Sequence, residues 1–122
     1  MKLLKLYTDL IIESDSNGII ISKTGKDNFL VHFNGIDKND VFAQIYYEKL
    51  HWYLSMIQTG DREGTGYGRK LMEFIINEAK KHGIKKITLD SSLYNKDFFE
   101  IFGFVDVEYN DDDGLYSMEL NL

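Results

Sequence analysis

The sequence predicts an α/β sandwich, a mixed sheet flanked by few helices. Three observations carry that expectation. The first half is a series of short runs rich in Ile, Leu, Val and Phe, separated by turn residues. One stretch past the middle has a clean helical period and leads into a short strand. The chain then closes with two alternating segments around an aspartate-rich turn.

The first candidate strand is Leu3 to Tyr7 or, alternatively, Leu10 to Glu13. Gly18 to Lys23 and Asn28 to Phe33 follow, set apart by Ser16-Asn17-Gly18, Thr24-Gly25 and Asn34-Gly35. Val41 to Tyr47 and Leu50 to Gln58 read as a hairpin turning near Glu48-Lys49. A helix over Asp40 to Leu50 is the competing reading, because period alone does not separate short apolar runs. After Gly68, Leu71, Ile75 and Ala79 recur at i, i+4 and i+8, with Met72 and Ile76 beside them; this is one apolar helical face. Lys80, Lys81 and His82 suit the negative end of that helix, and Gly83 supplies a left-handed stop.

Lys85 to Asp90 predicts a strand with Ile87 and Leu89 on one face. A short helix is expected from Asn95 to Phe102, capped by Asn95 and stapled by Tyr94 against Phe99. Its expected buried side is Phe98, Ile101 and Phe102, and Gly103 ends it. Phe104 to Tyr109 and Leu115 to Leu122 form the closing hairpin. Val105, Val107 and Tyr109 alternate on one strand; Tyr116, Met118 and Leu120 alternate on the other.

With 122 residues, a single domain over 1–122 is expected. The absence of cysteine excludes disulfides, thiolate metal sites and a cysteine nucleophile. It is compatible with a reducing cytoplasm, the expected compartment. No apolar run approaches the roughly 18 residues of a membrane span. The opening MKLLKLYTDLIIES lacks a small-residue cleavage site and carries Asp9 and Glu13, so it reads as structure and not as a signal peptide. A net charge of −6 argues against nucleic acid as a partner and suits a basic acceptor such as a lysine side chain or a polyamine. Asp111 to Gly114 lacks the spacing and closing glutamate of a calcium loop, so it reads as a solvated turn and no metal is expected.

The segment GDREGTGYGRKL, Gly60 to Leu71, lies between a strong strand and a strong helix. Alternating Gly64, Gly66 and Gly68 let successive N–H groups converge and let a ligand approach the backbone. The following helix start has unpaired N–H groups and partial positive charge, which together make an anion site. Arg62, Arg69 and Lys70 add local positive charge. A Walker loop would need Gly-Lys-Ser/Thr, and a dinucleotide fold would need Gly-x-Gly-x-x-Gly with further β-α units; neither is present. Taken alone, the glycines also fit a plain strand-to-helix connection.

The stretch from Trp52 to Phe104 resembles the core of the GNAT superfamily of N-acetyltransferases. The resemblance rests on two motifs in order: Glu63-Gly64-Thr65-Gly66-Tyr67-Gly68 with Arg69-Lys70-Leu71-Met72, then Leu89-Asp90-Ser91-Ser92, Asn95 and Phe98-Phe99-Glu100-Ile101-Phe102-Gly103-Phe104. It implies a mainly antiparallel sheet with a central splay and transfer of acetyl from acetyl-CoA to a primary amine by direct attack. It also implies that backbone N–H groups of Glu63, Gly64, Thr65, Gly66, Tyr67, Gly68 and Arg69 hold the coenzyme A pyrophosphate. Ile57 and Gln58 would lie along the pantetheine arm, with a backbone N–H there polarising the thioester carbonyl. Ser92, Asn95 and Phe99 would flank the thiol end.

Two positions depart from the family pattern. Glu63 stands where Gln or Arg is usual, with Arg62 just before it. Phe99 stands where a tyrosine usually protonates the leaving thiolate. General acid help is worth about 100- to 10,000-fold, and the low end is expected for a thiol of pKa ~8.5. Tyr94 or Tyr116 could replace that donor; each also reads as a packing residue. No general base is visible: the family's occasional strand glutamate falls at Trp52, with His51 and Glu48 nearby. No catalytic residue is therefore assigned. The alternative is a weak or inactive module that binds coenzyme A or a protein partner. Without a convincing early helix pair, the acceptor cleft is expected to be shallow and open. That suits a protein lysine or N-terminus, or completion by a second copy in a homodimer.

Overall fold

The computed structural model describes residues 11–14, 18–59 and 66–122. The candidate strand Leu3 to Tyr7 and the loop residues Arg62, Glu63, Gly64 and Thr65 lie outside the described residues.

Among the described residues, eight strands form one sheet: β1 (Ile11–Ser14), β2 (Ile19–Lys23), β3 (Asn28–Phe33), β4 (Phe42–Glu48), β5 (His51–Gln58), β6 (Lys86–Ser91), β7 (Val105–Asn110) and β8 (Leu115–Asn121). Helix α1 (Tyr67–Lys81) links β5 to β6, and the short helix α2 (Lys96–Glu100) links β6 to β7. The strand order is β1-β2-β3-β4-β5-β6-β8-β7. Every neighbouring pair is antiparallel except β5 with β6. That single parallel pair follows from α1, because a helical crossover returns the chain in the same direction.

Alternation sets which face is buried. Ile19 and Ile21, Phe29, Val31 and Phe33, Ala43 and Ile45, Trp52 and Leu54, and Ile87 and Leu89 all point into one core. The apolar stripe of α1 joins it through Leu71, Met72, Phe74, Ile75 and Ala79. The hairpin reading of 42–58 holds over the helical one. Phe42–Glu48 pairs with strands on both sides, and the chain reverses at Lys49, which takes a positive φ of 54°. At the end of α1, Ile84 N–H donates to the Ala79 carbonyl around Gly83 at φ +74°, the expected left-handed stop.

Helix α2 departs from expectation. Tyr94 is 91% exposed, so no staple forms against Phe99. Asn95 makes no side-chain cap; its own N–H donates instead to the Ser92 carbonyl at 3.1 Å and to Ser92 Oγ at 3.3 Å. The buried residue is Phe99, while Ile101 is exposed and Phe98 and Phe102 are half-buried. Ring contacts set this orientation. Phe99 meets Phe98 at 5.2 Å and Phe104 at 6.0 Å, and Phe98 also meets Phe102 at 5.3 Å. The alternation expected in β7 is present but buries nothing, because β7 is an edge strand whose residues are all exposed.

Candidate functional site

The site begins where two parallel strands part. β5 and β6 pair from His51 with Lys86 to Leu54 with Leu89, and no further. Both strands continue, β5 to Gln58 and β6 to Ser91. The register of β4 against β5 shows the cause. Ile45 pairs with Leu54 but Gln44 pairs with Met56, leaving Ser55 as an extra residue in a bulge. Ser55 Oγ donates to the Gln44 carbonyl at 3.2 Å and pins it. A bulge bends its strand and strengthens the local twist. β5 therefore stays with β4 and leaves β6.

The result is an open cleft of about 180 Å³. Leu54 to Ile57 of β5 form one wall, and Leu89 to Ser92 at the end of β6 form the other. Asn95 and Phe99 close one side. The edge of β5 beyond Leu54 has no β6 partner, so the cleft is flanked by strand backbone.

α2 ties this cleft to the start of α1. Phe99 lines the cleft, and its neighbour Phe98 packs on Gly68. A Cβ at Gly68 would stand 3.3 Å from Phe98 Cζ and 3.4 Å from Thr59 Cγ2, so close packing explains this glycine. Gly66 is different. It is the N-cap of α1, left-handed at φ +84°, and among the described residues it has no side-chain cap and nothing within 4 Å of where a Cβ would be. The first helical bond after it is Lys70 N–H to the Gly66 carbonyl, so the N–H groups of Gly68 and Arg69 precede the helical ladder. No acidic residue lies in that first turn. Arg69 rests against the Phe102 ring at 5.8 Å, and Lys70 against the Tyr67 ring at 5.9 Å. Among the described residues, a helix start without a side-chain cap, with open space and two cations beside it, fits a doubly charged phosphate group.

Among the described residues, one carboxylate faces the cleft. Alternation in β6 buries Ile87, Leu89 and Ser91 and turns Asp90 to the opposite face. Asp90 Oδ2 accepts from the Tyr53 hydroxyl at 2.9 Å, and Oδ1 accepts from Ser117 Oγ at 3.1 Å. Partial burial, together with the Asp90 carboxylate, raises the Tyr53 phenol above its usual pKa, so it remains a donor. Ser91 Oγ, by contrast, is buried and donates to the Ser92 carbonyl at 2.8 Å.

Of the residues singled out from the sequence, Ile57, Ser92, Asn95 and Phe99 line this one cleft. Gln58 follows Ile57 on β5 and spends its side-chain amide on the Asn39 carbonyl at 3.0 Å. Gly66, Tyr67, Gly68 and Arg69 lie at the helix start, with Tyr67 packed on Phe33 at 4.8 Å. The expected substitutes for a tyrosine donor are not in the cleft. Tyr94 faces solvent, and Tyr116 sits under Lys96 Nζ at 4.1 Å and beside Tyr109 at 4.7 Å. His51 belongs to the closed end of the β5–β6 pair, where Nε2 bonds Thr88 Oγ1 at 2.6 Å. Asp90 was not singled out, although the alternation of Ile87 and Leu89 already turns it away from the core.

Residues 26–115 match the family described as Acetyltransferase (GNAT) domain. Over 84 residues the chain is 36% identical to an uncharacterised N-acetyltransferase of Schizosaccharomyces pombe, an overlap of 66% of this chain and 34% of that protein. The chain thus spans about a third of that relative's length. Among solved structures, the ribosomal-protein-S18-alanine N-acetyltransferase of Escherichia coli superposes with a TM-score of 0.64 at 26% identity, covering 80% of this chain and 71% of that one. PaiA N-acetyltransferase from Thermoplasma acidophilum, solved with coenzyme A, gives a TM-score of 0.64 over 79% of this chain and 62% of that one. At 18% identity, that likeness is of fold alone.

Proposed function

This chain belongs to the GNAT acetyltransferase family, and on that premise we propose that it is an N-acetyltransferase acting on a primary amine with acetyl-CoA as donor. The observation that carries the reading is the splay. The β5–β6 ladder stops at Leu54 and Leu89, opening an unpaired strand edge beside a helix start suited to phosphate. The backbone of Ile57 and Gln58 would run along the pantetheine, and the amides of Gly66 to Arg69, with Glu63 to Thr65 before them, would hold the diphosphate. Two relatives support this: the Thermoplasma acidophilum structure contains coenzyme A, and the Escherichia coli enzyme is named for acetylation of an alanine.

When bound, acetyl-CoA supplies an acyl group on a thioester. The chain's own residues supply the rest. A β5 backbone N–H at the cleft polarises the carbonyl oxygen in this reading. Asp90 attracts the cationic amine, which gives one proton to solvent to become the nucleophile, and the carboxylate accepts the second proton as the C–N bond forms. Tyr53 and Ser117 hold the carboxylate by one donor on each oxygen, which fixes its orientation and leaves lone pairs for the amine. The acceptor we favour is a lysine or N-terminal amine on a polypeptide, because the cleft is open among the described residues.

Mixing the protein with acetyl-CoA and a panel of peptides and small amines, then measuring thiol release and acceptor mass, tests the assignment. Asp90→Asn is expected to lower kcat/KM about 100- to 10,000-fold while coenzyme A binding persists. A second reading, a binding module with little catalysis, is favoured by Phe99, whose ring lines the cleft without a hydroxyl. Coenzyme A binding with no acceptor acetylated would support that module. Failure to bind coenzyme A would contradict both readings.

A further inference from the structure

We propose that Ser92 is a catalytic residue, whose hydroxyl donates a hydrogen bond to the departing sulfur at the site where Phe99 offers none. The inference rests on the acetyl-transfer reading and adds a role to it.

The cleft contains four residues with side-chain donors at its β6 and bulge ends: Ser55, Ser91, Ser92 and Asn95. Ser55 is spent on the Gln44 carbonyl at 3.2 Å. Ser91 is 3% exposed and spent on the Ser92 carbonyl at 2.8 Å. Ser92 differs from both. Its Oγ accepts the Asn95 N–H at 3.3 Å, a donor shared with the Ser92 carbonyl at 3.1 Å, so one lone pair of the hydroxyl is engaged. Its proton has no acceptor among the described residues. A hydroxyl is both donor and acceptor, so Ser92 retains a donor at the cleft wall shared with Phe99. The amide of Asn95 is the rival. It is exposed, makes no cap and is not oriented by any partner among the described residues.

The chemistry fixes what such a donor can do. An alkyl hydroxyl is far too weak an acid to protonate a thiolate, whose conjugate thiol has a pKa of about 8.5. Ser92 therefore stabilises charge by a hydrogen bond and keeps its proton. As the C–N bond forms and the C–S bond breaks, the bonding pair leaves on sulfur, where Ser92 meets the developing charge. Nitrogen loses two protons: the first goes to solvent as the ammonium becomes the free amine, and the second passes to Asp90 as the C–N bond forms and then to solvent. The released thiolate is protonated from solvent, so the atoms and charges balance.

The test compares coenzyme A with its desulfo analogue, by calorimetric titration from pH 7 to pH 9.5, for wild type, Ser92→Ala, Ser92→Thr, Asn95→Ala and the double variant Ser92→Ala/Phe99→Tyr. A donor aimed at sulfur binds thiolate better than thiol. Wild type should therefore hold coenzyme A more tightly as pH rises through about 8.5, while the desulfo analogue shows no such gain. Ser92→Ala should lose that gain and about 10- to 100-fold in kcat. Ser92→Thr and the double variant, each with a hydroxyl at this wall, should recover part of both. Asn95→Ala should keep the gain. The proposal is overturned if Ser92→Ala keeps the pH-dependent gain, if Asn95→Ala is the variant that loses it, or if Ser92→Ala weakens both ligands equally at every pH. Wild type that binds coenzyme A but shows none of these dependences defeats Ser92 alone. Wild type that does not bind it at all defeats the acetyl-transfer reading as well.

Discussion

Gly66 and Gly35 form a matched pair that separates backbone strain from ligand binding. Both sit at φ +84°, and a Cβ at either would find nothing within 4 Å. Gly66 starts α1 beside the cleft; Gly35 lies in the turn between β3 and β4. Alanine at either position meets no clash among the described residues, so the expected cost is that of the left-handed conformation, about 1–2 kcal/mol. For 122 residues the unfolding entropy is roughly 0.26 kcal/mol/K, so each variant should melt about 4–8 °C lower. Asparagine, which tolerates this conformation better, should lose less at both. Coenzyme A should then tell the two apart. Gly66→Ala must either hold a strained backbone or turn it, and turning it misdirects the amides at the helix start. Losing one hydrogen bond to a charged group is worth about 1.5–3 kcal/mol, so affinity should fall roughly 10- to 150-fold. Gly35→Ala should leave affinity unchanged. Thermal denaturation and calorimetric titration read the two effects separately. Equal coenzyme A affinity in both variants would refute the role given to Gly66, and an unchanged melting point in both would refute the strain argument.

Other expectations follow from the same structure. Trp52 is fully buried beside the Phe29 ring, and Trp52→Ala should cost about 3–5 kcal/mol in a denaturant titration. Tyr53 has a raised pKa from burial and its bond to Asp90, so its contribution is full below pH 10 and is lost as pH rises through the folded value. Tyr53→Phe should flatten that alkaline loss in a pH series of melting curves. His32 has a lowered pKa, chiefly from burial. Its contribution is therefore present above the unfolded value of 6.5 and is lost as the unfolded chain protonates below it; His32→Gln should flatten the acid side.

Much of the fold was legible because apolar alternation and turn residues agree along the chain. β3 coincides with the expected Asn28–Phe33, and α1 with the stripe of Leu71, Ile75 and Ala79. The bulge at Ser55 was not legible, since nothing in Tyr53-Leu54-Ser55-Met56 marks an extra residue; only the paired registers of Gln44 and Ile45 reveal it. Yet that residue positions the cleft. The staple at α2 failed for a similar reason. Local spacing placed Tyr94 on Phe99, but contacts with Phe98 and Phe104 decided the helix's orientation. Asp90 could have been found from period alone, because a polar residue after Leu89 must face away from the core. What period could not supply was its partners, Tyr53 and Ser117, which come from β5 and β8.

The account depends on an unpaired β5 edge and an uncapped α1 start serving one ligand together. Hydrogen exchange with and without coenzyme A at 100 times its Kd, where the fold should gain about 2.7 kcal/mol, measures both at once. The account predicts slowed exchange in peptides spanning 55–58 and 66–70, with little change in β2 and β3. Slowing that is absent from both segments, or no larger there than in β2 and β3, would contradict it.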